Sequence, residues 1–229
     1  YGSGEGLGNS LMMKSLKQPD AVWTIIEPSQ DYEISLLDVI NDTLYIYTNY
    51  GAPRYRLMTA SVNAPQRENW KELVPEQKGV LTGVDFAGDK LILTYDIDAA
   101  NKSYLYSRDG KQLSEIKFPS VGSAGFSSSK KHDEVFYTFT SFIYPSVIYR
   151  YDMETGESSV YKTTEIEGFK SDDYVTEQVF YPSADGTKIP MFITYKKGLK
   201  RDGKNPVYLY GYGGFYFFHF FFKKKFLFF

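Results

Sequence analysis

The chain contains no cysteine. That excludes disulfide bonds, thiolate metal sites and a cysteine nucleophile. Only two histidines occur, His132 and His219, which leaves little material for a His-rich metal centre or a histidine base. Charge of either sign is not in excess: 26 basic against 28 acidic residues give a net charge of −2. No global field therefore favours nucleic acid. Long apolar runs are missing too: Tyr216 to Phe222 is seven residues and is followed by three lysines, short of a membrane span. The opening YGSGEGLGNS, with its first Met at Met12, lacks the charged and apolar regions of a signal peptide. The expectation is a cytoplasmic protein with no membrane or nucleic-acid partner; a periplasmic location is the alternative.

Aromatic residues are abundant, with 21 Tyr, 18 Phe and 2 Trp in 229 residues. Such strand-preferring side chains point to a mainly β protein. They are unevenly spread: eight of the 18 Phe lie between Phe217 and Phe229. The stretch 216–229 reads as an aberrant Phe/Lys-rich tail, of the kind that homopolymeric A/T codons yield out of frame, and it is set aside from the fold.

The body repeats. Three apolar runs follow a turn-forming acid: DTLYIYTN at Asp42, DKLILTYD at Asp89 and DEVFYTFT at Asp133, spaced by 47 and 44 residues. Tyr-rich runs follow at Tyr55, Ser103 and Ser146, spaced by 48 and 43. More polar runs follow at Trp70, Leu113 and Ser158, and small-residue runs precede each set at Ser35, Leu81 and Val121. Four strands recurring at this period are the signature of a β-propeller blade. The residue types suit the positions. Small side chains fit the strand that faces the crowded centre. Apolar ones fit the middle strands, buried between blades. Charges such as Lys71, Glu72, Glu115 and Lys117 protect the outer edge from strand addition. Asp109-Gly110 and Thr155-Gly156 supply the turns between third and fourth strands.

Three blades are expected, from Tyr32 to Val74, Val80 to Phe118 and Val121 to Lys162. LMMKSL and AVWTIIE, ahead of them, read as the outer half of an earlier blade. Closed propellers take four to eight blades, so an open, partial propeller is predicted, with blade faces and edges left bare. After Lys162 the repeat stops. A polar connector is followed by two strands around the Asp185-Gly186 turn, a polar loop, and PVYLYGYGGF, expected as a buried strand running into glycines.

The 45 residues SDDYVTEQVFYPSADGTKIPMFITYKKGLKRDGKNPVYLYGYGGF, Ser171 to Phe215, closely resemble the domain junction of the prolyl oligopeptidase family. The upstream pieces YRLMTASV, WKELVPE and FYTFTSFIYPSVIYRYD are family-like as well. The resemblance implies a serine endopeptidase that cleaves oligopeptides after proline, with a seven-bladed propeller capping an α/β-hydrolase domain. It implies that Tyr212, within GYGG, donates its hydroxyl to the oxyanion of the tetrahedral intermediate, and that Phe215 lines the proline pocket. On this reading 1–162 is the partial propeller, 163–175 a linker, 176–215 the start of the α/β-hydrolase domain and 216–229 the tail.

The chain departs from the family where the chemistry would sit. No G-x-S-x-G occurs, and neither histidine matches the family's base. Nucleophile, base and orienting acid are all needed within hydrogen-bond reach, so the chain is expected to be inactive alone. The alternative is a non-catalytic β-propeller that binds a protein partner; a pure propeller has no use for the segment Thr176 to Phe215. No cofactor or metal is expected: Asp38, Asp85, Asp89 and Asp96 fall in separate strands and turns with no calcium-loop spacing.

Overall fold

The computed structural model describes residues 8–18 and 20–211. Its elements are nearly all strands. A short pair, β1 (Leu11–Met13) and β2 (Thr24–Glu27), comes first. Three four-stranded antiparallel meanders follow. The first is β3 (Ile34–Ile40), β4 (Thr43–Thr48), β5 (Arg56–Ser61) and β6 (Lys71–Val74). The second is β7 (Val80–Ala87), β8 (Lys90–Ile97), β9 (Ala100–Ser107) and β10 (Gln112–Ile116). The third is β11 (Ser123–Ser129), β12 (His132–Thr140), β13 (Val147–Tyr151) and β14 (Ser158–Lys162). A separate hairpin, β15 (Tyr174–Pro182) and β16 (Lys188–Lys196), closes the described chain. The molecule is mainly β, as its composition predicts, and its sheets form an open array.

The tight turns have local causes. Asn41 and Asp42 both take positive φ (48° and 58°), which matches the right-handed twist of the strands they join. Asp98 and Ala99 (52° and 63°) do the same between β8 and β9. That pair was not apparent in the sequence, and it starts β9 at Ala100, ahead of the Tyr-rich run at Ser103.

The core lies in the seams between sheets. Ile26, Leu44, Ile46 and Trp70 fill the seam between β1–β2 and β3–β6. Leu57, Val74, Leu91, Leu93 and Tyr95 fill the next. Ile92, Leu105, Val135, Tyr137 and Phe139 fill the third. Strand β8 is thus buried on both faces, sending Leu91, Leu93 and Tyr95 to one seam and Ile92 to the other, as expected of a middle strand between blades. One buried charge is compensated: Glu27 accepts from the Ser29 amide (2.8 Å) and pairs with Arg67 (3.0 Å), whose guanidinium lies 4.6 Å from the Tyr50 ring.

The small-residue strands approach one another. Ser128 donates to the Phe86 carbonyl (3.0 Å), and the Gly88 amide donates to the Ser129 carbonyl (2.9 Å), tying β11 to β7. Tyr47 donates to the Leu81 carbonyl (2.7 Å), tying the first sheet to the second. The short Ser128 side chain lets the two strands meet at hydrogen-bond distance.

One expectation fails. Residues 206–210 form no ladder, and Val207, Tyr208, Leu209 and Tyr210 are exposed. An apolar strand is buried only where flanking strands and a covering layer meet it, and none of the described residues does so.

Candidate functional site

The meander order places the β3–β4, β7–β8 and β11–β12 turns at one end of the blades, and the β8–β9 turn and β12–β13 loop at the other. At the first end Lys130 reaches both carboxylate oxygens of Asp38 at 2.7 Å, joining residues 92 apart in sequence. Beside it Arg108 donates to the Gly88 carbonyl (2.7 Å), with its guanidinium 4.8 Å from the Phe86 ring. Lys130, Arg108 and Gly88 border a cleft of about 350 Å³ that also touches Tyr45 and Asp89. Lys130 is neutralised there by Asp38 and Asp89 by Lys90, while Arg108 is held by the Gly88 carbonyl.

The four aspartates singled out in the sequence do not converge. Asp38 is paired with Lys130, Asp89 with Lys90 (2.7 Å), and Asp96 accepts from Asn101. Asp85 stands half-buried on β7, and burial pushes its carboxyl up to about 6. His132 begins β12 and is exposed. Among the described residues no three His, Asp or Glu side chains form a metal set. The second seam also holds a tyrosine pair: Tyr47 and Tyr55 stack at 4.6 Å, and Tyr55 donates to Glu33 (2.6 Å). That hydrogen bond to a carboxylate, helped by burial, pushes the Tyr55 phenol up to about 12.

At the other end sits the β15–β16 hairpin. Its Gln178 amide donates to the Asp98 carbonyl in the β8–β9 turn, and its Phe192 ring lies 5.5 Å from Phe142 in the β12–β13 loop. On the hairpin, Glu177 accepts from Tyr195 and from Arg201 (2.9 Å), and the Arg201 guanidinium stacks 4.1 Å over Tyr195. Asn205 donates to the Lys200 carbonyl (2.7 Å). These contacts tie the loop after β16 back to the hairpin. Tyr212 and Phe215, the two site residues expected from the sequence, lie outside the described residues, as does the tail. The anchors Gln178, Phe192, Glu177 and Arg201 carry no motif. Their only sequence signal was their place in the 45-residue stretch.

Stacked four-stranded meanders with small-residue strands converging on one side define β-propeller blades. The chain matches the family model described as "Prolyl oligopeptidase, N-terminal beta-propeller domain" over residues 2–164. It is 42% identical to a prolyl endopeptidase of Elizabethkingia meningoseptica over 209 residues, covering 91% of this chain and 29% of that protein. It is 39% identical to a prolyl endopeptidase of Dictyostelium discoideum, covering 75% of this chain and 24% of that protein. Among solved structures, prolyl oligopeptidase B from Galerina marginata, bound to a 35mer hydrolysis and macrocyclization substrate, superposes with a TM-score of 0.77 at 30% identity. That match covers 86% of this chain and 29% of that one. The chain belongs to the prolyl oligopeptidase family. It spans under a third of the length of these relatives.

Proposed function

We propose that the chain is the blade-and-junction portion of a serine peptidase that cleaves oligopeptides after proline, and that it does not hydrolyse peptides by itself. Residues 1–162 are the partial propeller, 163–175 the linker and 176–215 the opening of the α/β-hydrolase domain. What carries the reading is the continuity of propeller blades with a docked hairpin whose sequence runs into GYGGF. Tyr212 there is the oxyanion donor, since a phenol hydroxyl held rigidly beside a developing negative charge stabilises it most in the transition state. The glycines around it let the backbone approach the substrate carbonyl. Phe215 offers the flat apolar wall that suits a pyrrolidine ring. The nucleophile, base and acid belong to sequence outside these 229 residues.

The test exchanges residues 8–215 for the matching segment of the Elizabethkingia meningoseptica prolyl endopeptidase. The chimera is expected to cleave a fluorogenic peptide with proline before the scissile bond, while the purified chain alone shows no turnover that a serine-reactive inhibitor abolishes. Inhibitor-sensitive turnover by the chain alone would overturn the reading. So would a folded chimera that binds a protein partner and cleaves nothing.

A further inference from the structure

Asp-Gly bonds are chemically weak points of a polypeptide at neutral pH. Glycine has no Cβ to hinder approach, so its amide nitrogen can reach the Cγ of the aspartate before it. The chain has three such bonds, Asp109-Gly110, Asp185-Gly186 and Asp202-Gly203, and no Asn-Gly. All three share a local pattern. The glycines take positive φ of 87°, 85° and 75°, and each aspartate accepts from the amide two residues on, an Asx turn. They differ in what the glycine amide does. Gly110 donates to the Ser107 carbonyl (3.0 Å) and Gly186 to the Ser183 carbonyl (2.9 Å). Among the described residues the Gly203 amide has no acceptor. The carboxylates differ as well. Ser107 donates its hydroxyl to Asp109 and Ser183 to Asp185. Those hydrogen bonds hold the first carboxyl below the usual carboxylate range and the second at about 2. No hydroxyl reaches Asp202 among the described residues; it is exposed and accepts from the Lys204 amide (3.1 Å).

We propose that Asp202 is a site of spontaneous isomerisation in the folded chain, and that the turns at Asp109 and Asp185 are protected from the same reaction. The Gly203 nitrogen attacks the Asp202 Cγ. The amide proton and the carboxyl hydroxyl leave together as water, and a succinimide ring closes. Water then returns at one of the two ring carbonyls. Opening at Cγ regenerates aspartate. Opening at the main-chain carbon leaves the backbone running through Cγ, one methylene longer, with the α-carboxylate as the new side group. No oxidant or cofactor is consumed, and mass and charge are unchanged. At the other two turns the glycine nitrogen must first give up its carbonyl partner, and a carboxylate held ionised lacks the hydroxyl that leaves. The added methylene falls between two contacts that tie this loop down, Arg201 to Glu177 (2.9 Å) and Asn205 to the Lys200 carbonyl (2.7 Å). The inference does not depend on the peptidase reading.

The test ages the purified chain at neutral pH, once folded and once in concentrated urea. Isoaspartate is counted with a protein isoaspartate methyltransferase and radiolabelled S-adenosylmethionine, and the label is located by chymotryptic mapping at acidic pH. In the folded chain isoaspartate is expected to build up at Asp202 at least fivefold faster than at Asp109 or Asp185. In urea, where no turn survives to protect them, the three sites are expected to react within about twofold of one another. Asp202→Glu, which would have to close a larger and slower ring, is expected to lose the signal at that position and to leave the other two as they were, with folding checked by near-ultraviolet circular dichroism. Equal rates at the three sites of the folded chain overturn the proposal, as does a lead at Asp109 or Asp185, or no isoaspartate at Asp202. So does the same fivefold order in urea, which would trace it to sequence rather than to the turns.

Discussion

Asp85 stands on β7 with no charged neighbour shifting it, and burial alone raises its carboxyl from 3.8 to about 6. Between those values the folded chain binds more protons than the unfolded one. Stability therefore falls as pH rises from about 4 through about 6 and levels off above. Asp85→Asn removes the charge and is expected to raise the thermal midpoint at pH 8 while leaving it near wild type at pH 4. Two glycines make a second contrast. A Cβ on Gly110 would meet the Leu73 carbonyl oxygen at 2.1 Å, in addition to its φ of 87°. Gly186 has φ of 85° with nothing within 4 Å. Gly186→Ala is expected to cost about 1 kcal/mol, the left-handed penalty alone. Gly110→Ala should cost at least twice that, because β6 must move. Both glycines were legible as turn residues from the Asp-Gly dipeptides; the neighbour that makes only one of them strict was not.

Burial differs between equivalent strands, and stability should follow it. Ile92 on β8 is fully buried, so Ile92→Ala is expected to cost about 2 to 5 kcal/mol in chemical denaturation. Phe136 on β12 is only half-buried, and its truncation to Ala should cost well under the figure for a buried Phe. The hairpin β15–β16 touches the blades through Gln178 and the Phe142–Phe192 ring contact. Phe142→Ala is expected to speed amide exchange across Tyr174–Lys196 and to leave exchange in β8 unchanged. These elements were readable from the sequence because a blade repeats one local pattern: small, apolar, tyrosine-rich, charged. The contacts between elements were not, since Asp38 with Lys130 and Phe142 with Phe192 join residues with no shared motif. The stretch 206–210 shows the opposite failure. Its apolar pattern reads as a buried strand, but burial needs partners that the described residues do not provide.

At the scale of the whole molecule, the cores of the described residues lie in the seams between successive sheets. The same architecture makes each blade's stability depend on its neighbours. On the proposed function the roles separate along the chain: the blades carry the packing, and the junction after β14 leads to the proposed oxyanion donor Tyr212. Between them, residues 163–170 are almost wholly exposed, so limited proteolysis is expected to cut there before it cuts in any blade. Of the proposed site, the sequence made Tyr212 and Phe215 nameable through the 45-residue stretch, but not the Glu177–Tyr195–Arg201 cluster on the hairpin before them. The most direct measurement is the steady-state kinetics of Tyr212→Phe in the chimera with the Elizabethkingia meningoseptica enzyme. Loss of one oxyanion donor predicts a kcat lowered by about 10² to 10³ with KM changed little; a kcat equal to that of the unmutated chimera would contradict the account.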